Sequence, residues 1–426
     1  MPIELNPKSH IKPLEFIEHK LENGLSIILQ KDTTIPSVCI NTCYHVGSKD
    51  EPGELHGFAH LFEHLMFEGS KNISKGQYDK ISTSAGGDNN AFTSSDVTNY
   101  YIILPSNHLE TGLWLESDRM LEFSISEESF NIQKKVVAEE KQQNYDNRPY
   151  GTASSEMAPL LFTGTNYAWD TIGDMEQLKN STLNNAKNFF GKYYNPSNCV
   201  LVITGDIDYN KTISLIEKYY SEIPSPPKPI KPKIDFTPLK NESRIIVHDN
   251  IHLPGVFIGY RLPKEWSDET VALSLASEIL STGESSRFYK KLVYEKELVS
   301  EIAAYIDTRE QFSALIIYAI LMPCVKIEAV VKEIDSIIDE MKSGKVDNGE
   351  ITKIKNKFET RIHYRMQTNM MRAEYLTHFK TVHNDASMIN SIAEKYLRFT
   401  KNDVTENANK FLVDSNRVIL EYHPHE

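Results

Sequence analysis

The sequence predicts an α+β protein of two homologous domains, each a mostly antiparallel sheet with helices packed on it. At 426 residues the chain is too long for one ordinary core, so two large domains are the natural expectation. The run Ile223-Pro224-Ser225-Pro226-Pro227-Lys228-Pro229-Ile230-Lys231-Pro232-Lys233 is too rich in proline to continue a helix or a central strand and reads as a stiff, extended spacer. It separates a first domain, 1–222, from a second, 239–426, with 223–238 as the linker. Between these landmarks strands and helices are mixed without strict alternation, the pattern of helices laid on an antiparallel-rich sheet.

Each half offers similar elements in a similar order. The first begins with a hairpin signal at Asn23-Gly24, then an alternating strand over Val38–Val46 and one amphipathic helix over His56–Gly69. The second has strands around Arg244–His248 and Val256–Leu262, then a helix from Asp268 to about Gly283. The closing strands, Asn198–Ile203 and Asn416–Leu420, also correspond. Further helices are expected over Ser106–Glu122, Ser126–Tyr145, Thr182–Tyr194, Tyr209–Glu222, Ile327–Lys342 and Gly349–Gln367, with Ser126 well placed to cap the second of them.

Composition describes a globular chain. A net charge of −13 argues against a nucleic-acid footprint and suits cationic or extended peptides. No run of eighteen apolar residues exists, so no membrane span is expected. Met1-Pro2-Ile3-Glu4-Leu5-Asn6 has neither a basic nor an apolar leader region, which points to the cytoplasm, or to a periplasmic or organellar site if a targeting segment was removed. The four cysteines, with Cys39 and Cys43 four apart on a strand, read as ordinary thiols rather than zinc ligands.

The chemistry is concentrated in His60-Leu61-Phe62-Glu63-His64. Residues four apart on a helix share a face, so His60 and His64 can offer two imidazoles to one cation. Glu63 lies on nearly the same face, where its carboxylate can reach a water at the metal without ligating it. Aligning Gly69 on Gly283 puts Ser274, Ser277 and Glu278 where His60, Glu63 and His64 stand, so metal chemistry is expected in the first half only. Catalytic zinc usually takes three protein ligands, and the candidate third lies in Gln133–Lys141. Glu139 and Glu140 are about 100° apart on a helix, so only one can face the metal. Gln133, Val136 and Glu140 form one stripe, and the apolar Val136 marks it as inward-facing, favouring Glu140 over Glu139. A solvated acidic pair on an exposed helix is the alternative. His108, His248, His363 and the other histidines lack partners at metal spacing, and Trp114 and Trp169 read as core.

His60-x-x-Glu63-His64, followed 76 residues later by Glu140 within Val136-Val137-x-Glu139-Glu140, resembles the pitrilysin/insulysin family of inverted-zincin metallopeptidases. In length the chain is similar to the half-size members, the mitochondrial processing peptidase β subunit and its bacterial relatives. Gly86-Gly87-x-x-Asn90-Ala91-x-Thr93-Ser94-x-Asp96-x-Thr98-x-Tyr100 also matches a strand motif of that family. The resemblance implies one Zn2+ per chain held by His60, His64 and Glu140, with Glu63 as the catalytic base. It implies that Asn90, Ala91 and Phe92 line an exposed edge strand to which a peptide substrate adds as an extra strand. A plain turn before a hairpin is a compatible reading of the same glycines and asparagines. Two positions depart from the pattern. Gln133 stands where many relatives carry a supporting Glu beside the ligands. Val293 and Ser300 stand where members that work alone carry an Arg and a Tyr seven apart, while Arg287 matches a structural motif. The departure implies a heterodimer with a homologous subunit that supplies the Arg/Tyr pair, or else a homodimer without it. The alternative to a peptidase subunit is a non-catalytic core or scaffold subunit of a complex.

Overall fold

The computed structural model describes residues 12–231 and 234–425. The stretch read for a leader and Pro232-Lys233 of the spacer lie outside them. Six strands, β1 (Ile17–Lys20), β2 (Ser26–Lys31), β3 (Ser37–Tyr44), β4 (Asp88–Thr93), β5 (Thr98–Pro105) and β6 (Cys199–Gly205), form one sheet in the order β1-β2-β6-β3-β5-β4. Five more, β7 (Ser243–Asp249), β8 (Gly255–Pro263), β9 (Val299–Asp307), β10 (Phe312–Leu321) and β11 (Arg417–Pro424), form a second in the order β7-β11-β8-β10-β9. The two orders correspond strand for strand once β1 is set aside. The correspondence includes the parallel pairs β2–β6 and β7–β11 among otherwise antiparallel ladders. The duplication read from the sequence is therefore a duplication of topology, and the α+β architecture is as expected.

Five helices matter for the site: α1 (Phe58–Leu65), α2 (Glu127–Lys141), α3 (Ala153–Leu161), α4 (Asp268–Ser281) and α5 (Asn369–His383). Side chains alternate between the two faces of each sheet. In the first sheet Ile27, Leu29, Ile40, Leu201 and Ile203 face the core that holds α1, whereas Ile28, Cys39, Val200 and Val202 face the other way. That second face is covered by Ala373, Leu376 and Phe379 of α5, a helix from the second half of the chain. The cover is reciprocated. Met157, Ala158 and Leu161 of α3, from the first half, pack with Ala314, Ile316, Val418 and Leu420 of the second sheet. Polar contacts fix both helices: Arg372 on α5 reaches Asp32 at 2.7 Å and Gln30 at 3.0 Å, and Arg261 on β8 donates to the carbonyls of Leu161 and Thr163. Charges are also shared across the join. Lys49, buried, pairs with Asp96 and with Glu310, His45 Nε2 lies 2.8 Å from Glu310 Oε2, and the Tyr167 hydroxyl donates to Asp96 at 2.6 Å. Within this cluster Lys49 meets two carboxylates of opposite charge, which offsets the cost of burying it. All four cysteines are free thiols, and no helix among the described residues is long and apolar enough to cross a membrane.

The start of α1 is set by backbone constraints. The sequence predicts a helix over His56–Gly69, but the helix runs only from Phe58 to Leu65. Gly57 precedes it at φ +92°, a left-handed conformation that a helix cannot include. After Leu65 the chain tightens, with Phe67 N–H donating to His64 O and Glu68 N–H to Leu65 O, before Gly69 turns away at φ +134°. Gly173, at φ +77°, lies so close to Gly57 that a Cβ on it would stand 2.1 Å from the Gly57 Cα. Gly164 has a similar φ of +75° but open space around it. Gly164→Ala should therefore cost about 1 kcal/mol for the left-handed backbone alone. Gly173→Ala should cost at least twice that, because α1 must also move. Urea midpoints of the two variants would test this, and equal shifts would refute the close approach.

Candidate metal centre

α1 buries Phe58, Leu61, Phe62 and Leu65 in the first core and leaves His60, Glu63 and His64 on its remaining face. Its N-terminus is tied down by a residue that has no signature in the sequence. Glu51, 6% exposed, accepts from the backbone N–H groups of Gly57 at 2.9 Å and Ala59 at 2.8 Å. These are two of the donors that a helix start leaves unpaired. Trp169, expected to be plain core, donates Nε1 to the same carboxylate at 3.0 Å and stacks on His56 with centroids 4.0 Å apart. Burial pushes the Glu51 carboxyl up to about 8, against the pull of these donors.

α2 packs on α1 and brings Glu140 to the two histidines. Glu140 Oε2 lies 3.3 Å from His64 Nε2 and 3.8 Å from His60 Nε2, and one potential ligand atom of each residue falls within 4.8 Å of the other two. A tetrahedral zinc with ligand distances of about 2.0–2.2 Å spaces its donors roughly 3.3–3.6 Å apart. Among the described residues no hydrogen bond joins the three, so their lone pairs converge without being spent on one another. Burial first, and the neighbouring His64 second, push His60 down to about 4, which keeps its imidazole neutral near pH 7 as a ligand must be. This donor set fits one zinc-like ion.

Glu63 stands beside the three rather than among them. Its Oε2 accepts from Thr93 Oγ1 at 2.7 Å, and burial raises its carboxyl above the ordinary value while Thr93 and His64 oppose the rise. Thr93 is the last residue of β4, the outermost strand of the first sheet. Asn90, Ala91 and Phe92 lie on the same strand, paired on one side with Tyr101, Tyr100 and Asn99. On β4 the Ala91 N–H donates to the Asn90 side chain at 2.8 Å, and Phe92 is 38% exposed.

Several sequence-based expectations need adjustment. Ser126 caps α2 as expected, accepting from Ser129 N–H. On that helix, however, Val136 is exposed and Val137 is fully buried. The inward stripe is Phe130, Gln133, Val137 and Glu140, so the choice of Glu140 rested on the wrong valine although Glu140 is the residue that meets the histidines. Gln133 donates to Glu68 Oε1 at 2.7 Å, bracing α2 against the chain just after α1; among the described residues no hydrogen bond joins it to His60, His64 or Glu140. In the second half Ser274, Ser277 and Glu278 sit on α4, with Glu278 paired to Arg361 at 2.7 Å. Arg287 is held by Glu350 at 2.7 Å, Val293 lies in the helical turn Tyr289–Glu295, and Ser300 on the outermost strand β9 donates to the Ile320 carbonyl. The expectation that the other histidines lack partners at metal spacing fails, among the described residues, for two of them: His378 and His383 meet Glu265, at 3.1 Å and 3.0 Å.

Comparison with known proteins places the chain in a family. Residues 26–158 match the family described as Insulinase (Peptidase family M16), and residues 180–358 match Peptidase M16 inactive domain. The zinc protease PqqE of Helicobacter pylori is 30% identical over 93% of this chain and 90% of its own length. A crystal structure of a protease from Helicobacter pylori superposes with a TM-score of 0.92 at 27% identity, covering 97% of this chain and all of that one. Pitrilysin, at 18% identity, shares the fold with a TM-score of 0.79 over 100% of this chain and 46% of its own. With both halves matched and a relative aligned along nearly its whole length, the chain belongs to peptidase family M16.

Proposed function

We propose that the chain is a zinc-dependent endopeptidase subunit that hydrolyses extended peptide segments laid along β4. The observation that carries the reading is the convergence of His60, His64 and Glu140 on one point, with Glu63 alongside and the outermost strand of the sheet ending at Thr93. His60, His64 and Glu140 would hold the ion, which supplies a Lewis acid for the scissile carbonyl and for water. Glu63 accepts a proton from the attacking water and delivers it to the leaving amine. Burial suits it to the first half of that task, since a carboxylate whose pKa is raised takes up a proton more readily than it would at its ordinary value. Thr93 fixes the carboxylate by its hydrogen bond. A substrate adds to β4 through main-chain hydrogen bonds at Asn90, Ala91 and Phe92, displacing the Asn90 side chain from the Ala91 N–H. Recognition of this kind selects extended conformation more than sequence.

The reading includes a partner. Acyl transfer needs donors aimed at the developing oxyanion, and losing one typically costs a factor of about a hundred to a thousand in rate. Val293 offers none and the Ser300 hydroxyl is engaged with Ile320. A homologous subunit carrying the Arg/Tyr pair, closed face to face on this one, supplies what is missing.

Glu63→Gln should retain close to one equivalent of zinc at this centre while peptide hydrolysis falls by several powers of ten; loss of that zinc would show the residue to be a ligand. Glu140→Gln should lose the ion at this centre and Glu139→Gln should keep it, as read by metal analysis of the purified variants. The chain alone should cleave unfolded peptides poorly and regain activity when the homologous subunit is added. Full activity from the isolated chain, unchanged by any partner, would sink the heterodimer.

A further inference from the structure

The cluster Glu265–His378–His383 repeats the signature of the first centre at a place that the proposed function does not use. Glu265 lies in the turn between β8 and α4. Its backbone N–H donates to the Arg309 carbonyl at 2.8 Å, and the next residue, Trp266, is held at φ +61° with its carbonyl accepting from Lys395 at 2.6 Å. A left-handed conformation at an aromatic residue is strained, and such strain is retained where the surroundings over-determine it. His378 and His383 come from α5, the helix laid across the first sheet, with His383 as its last residue and Asn384 turning out of the helix at φ +57°. Five residues on a helix are about 140° apart. The pair therefore escapes a search for ligands at helical spacing, and the two rings approach Glu265 from different sides.

The contacts are close and at ion-pair distance. Glu265 Oε1 lies 3.1 Å from His378 Nε2 and 3.0 Å from His383 Nε2, and the three ligand atoms fall within 4.8 Å of one another. Yet Glu265 Oε1 and His383 Nε2 are both buried without a hydrogen-bond partner. Leaving buried polar atoms unsatisfied is costly, and one cation between them would satisfy both. Glu265 as a whole is 7% exposed. The spacing approaches the donor separation of a tetrahedral zinc, about 3.3–3.6 Å. Two imidazoles and one carboxylate suit zinc and its neighbours in the transition series, not magnesium or calcium, which demand more oxygen ligands. A cavity of about 280 Å³, lined in part by Asp96, Glu374 and His378, adjoins the cluster and leaves room for a solvent ligand.

We propose that Glu265, His378 and His383 form a second zinc-class cation site, distinct from His60, His64 and Glu140, which fastens the crossing helix α5 to the β8–α4 turn of its own half. The experiment uses the full chain, stripped with a chelator and titrated with Zn2+ alone, with bound metal read by mass spectrometry. The wild type should take up two equivalents, Glu140→Gln one, His378→Gln/His383→Gln one, and the three substitutions together none. One equivalent in the wild type that disappears in Glu140→Gln would overturn the second site. One equivalent that survives Glu140→Gln and is lost from the double histidine variant would uphold it and count against the first centre instead. Should the double variant fail to fold, Glu140→Gln decides by itself. Its second site is untouched, so saturating Zn2+ should raise its Tm by about 3–8 °C, and an unchanged Tm would refute the proposal.

Discussion

Each sheet in this molecule is apolar on both faces, and the helices of its own half cover only one. That constraint governs the rest of the structure. The face bearing Ile28, Cys39, Val200 and Val202 is covered by α5, and the one bearing Ala314, Ile316, Val418 and Leu420 by α3. Burying a large aliphatic side chain is worth about 1.5–3 kcal/mol, so neither face can be left open without a loss comparable to the stability of a whole domain. The crossing helices hold the halves in one relation, and the Lys49–Asp96–Glu310 cluster adds directional contacts at the same join. With the outer faces sealed in this way, the opposite face of the first sheet is free to carry α1 and its histidines.

The amino-acid order made some of this legible. His60, Glu63 and His64 declare themselves through helical spacing, and the strands through alternation, because both are local patterns. The duplication was visible through landmarks such as Gly69 and Gly283, and the sheet orders bear it out. The length of α1 was not legible. Its apolar periodicity runs past Leu65, but the backbone at Gly57 and Gly69 adopts positive φ, which periodicity cannot register. On α2 the neighbours Val136 and Val137 are alike in sequence, and only packing distinguishes the one that is buried.

What stayed hidden has a common cause. Glu51 caps a helix from six residues upstream of Gly57, Trp169 reaches the same carboxylate from over a hundred residues away, and Glu265 meets histidines on a helix that belongs spatially to the other half. None of these has a fixed spacing, so none leaves a motif. The asymmetry of the duplication follows the same logic. At the position equivalent to the histidine helix, α4 keeps the fold but offers serines and a Glu278 already neutralised by Arg361. The second half keeps the architecture without the histidine pair of the first.

The crossing of α5 also bears on how the chain is made. A ribosome delivers the last helix before the proline-rich spacer by Tyr220, yet the helix that closes the first sheet ends at His383, 163 residues later. At roughly 5–20 residues per second that gap is on the order of 8–30 s. Throughout it the nascent first sheet carries an uncovered hydrophobic face, long enough for chaperones to engage it and for two neighbouring nascent chains to meet.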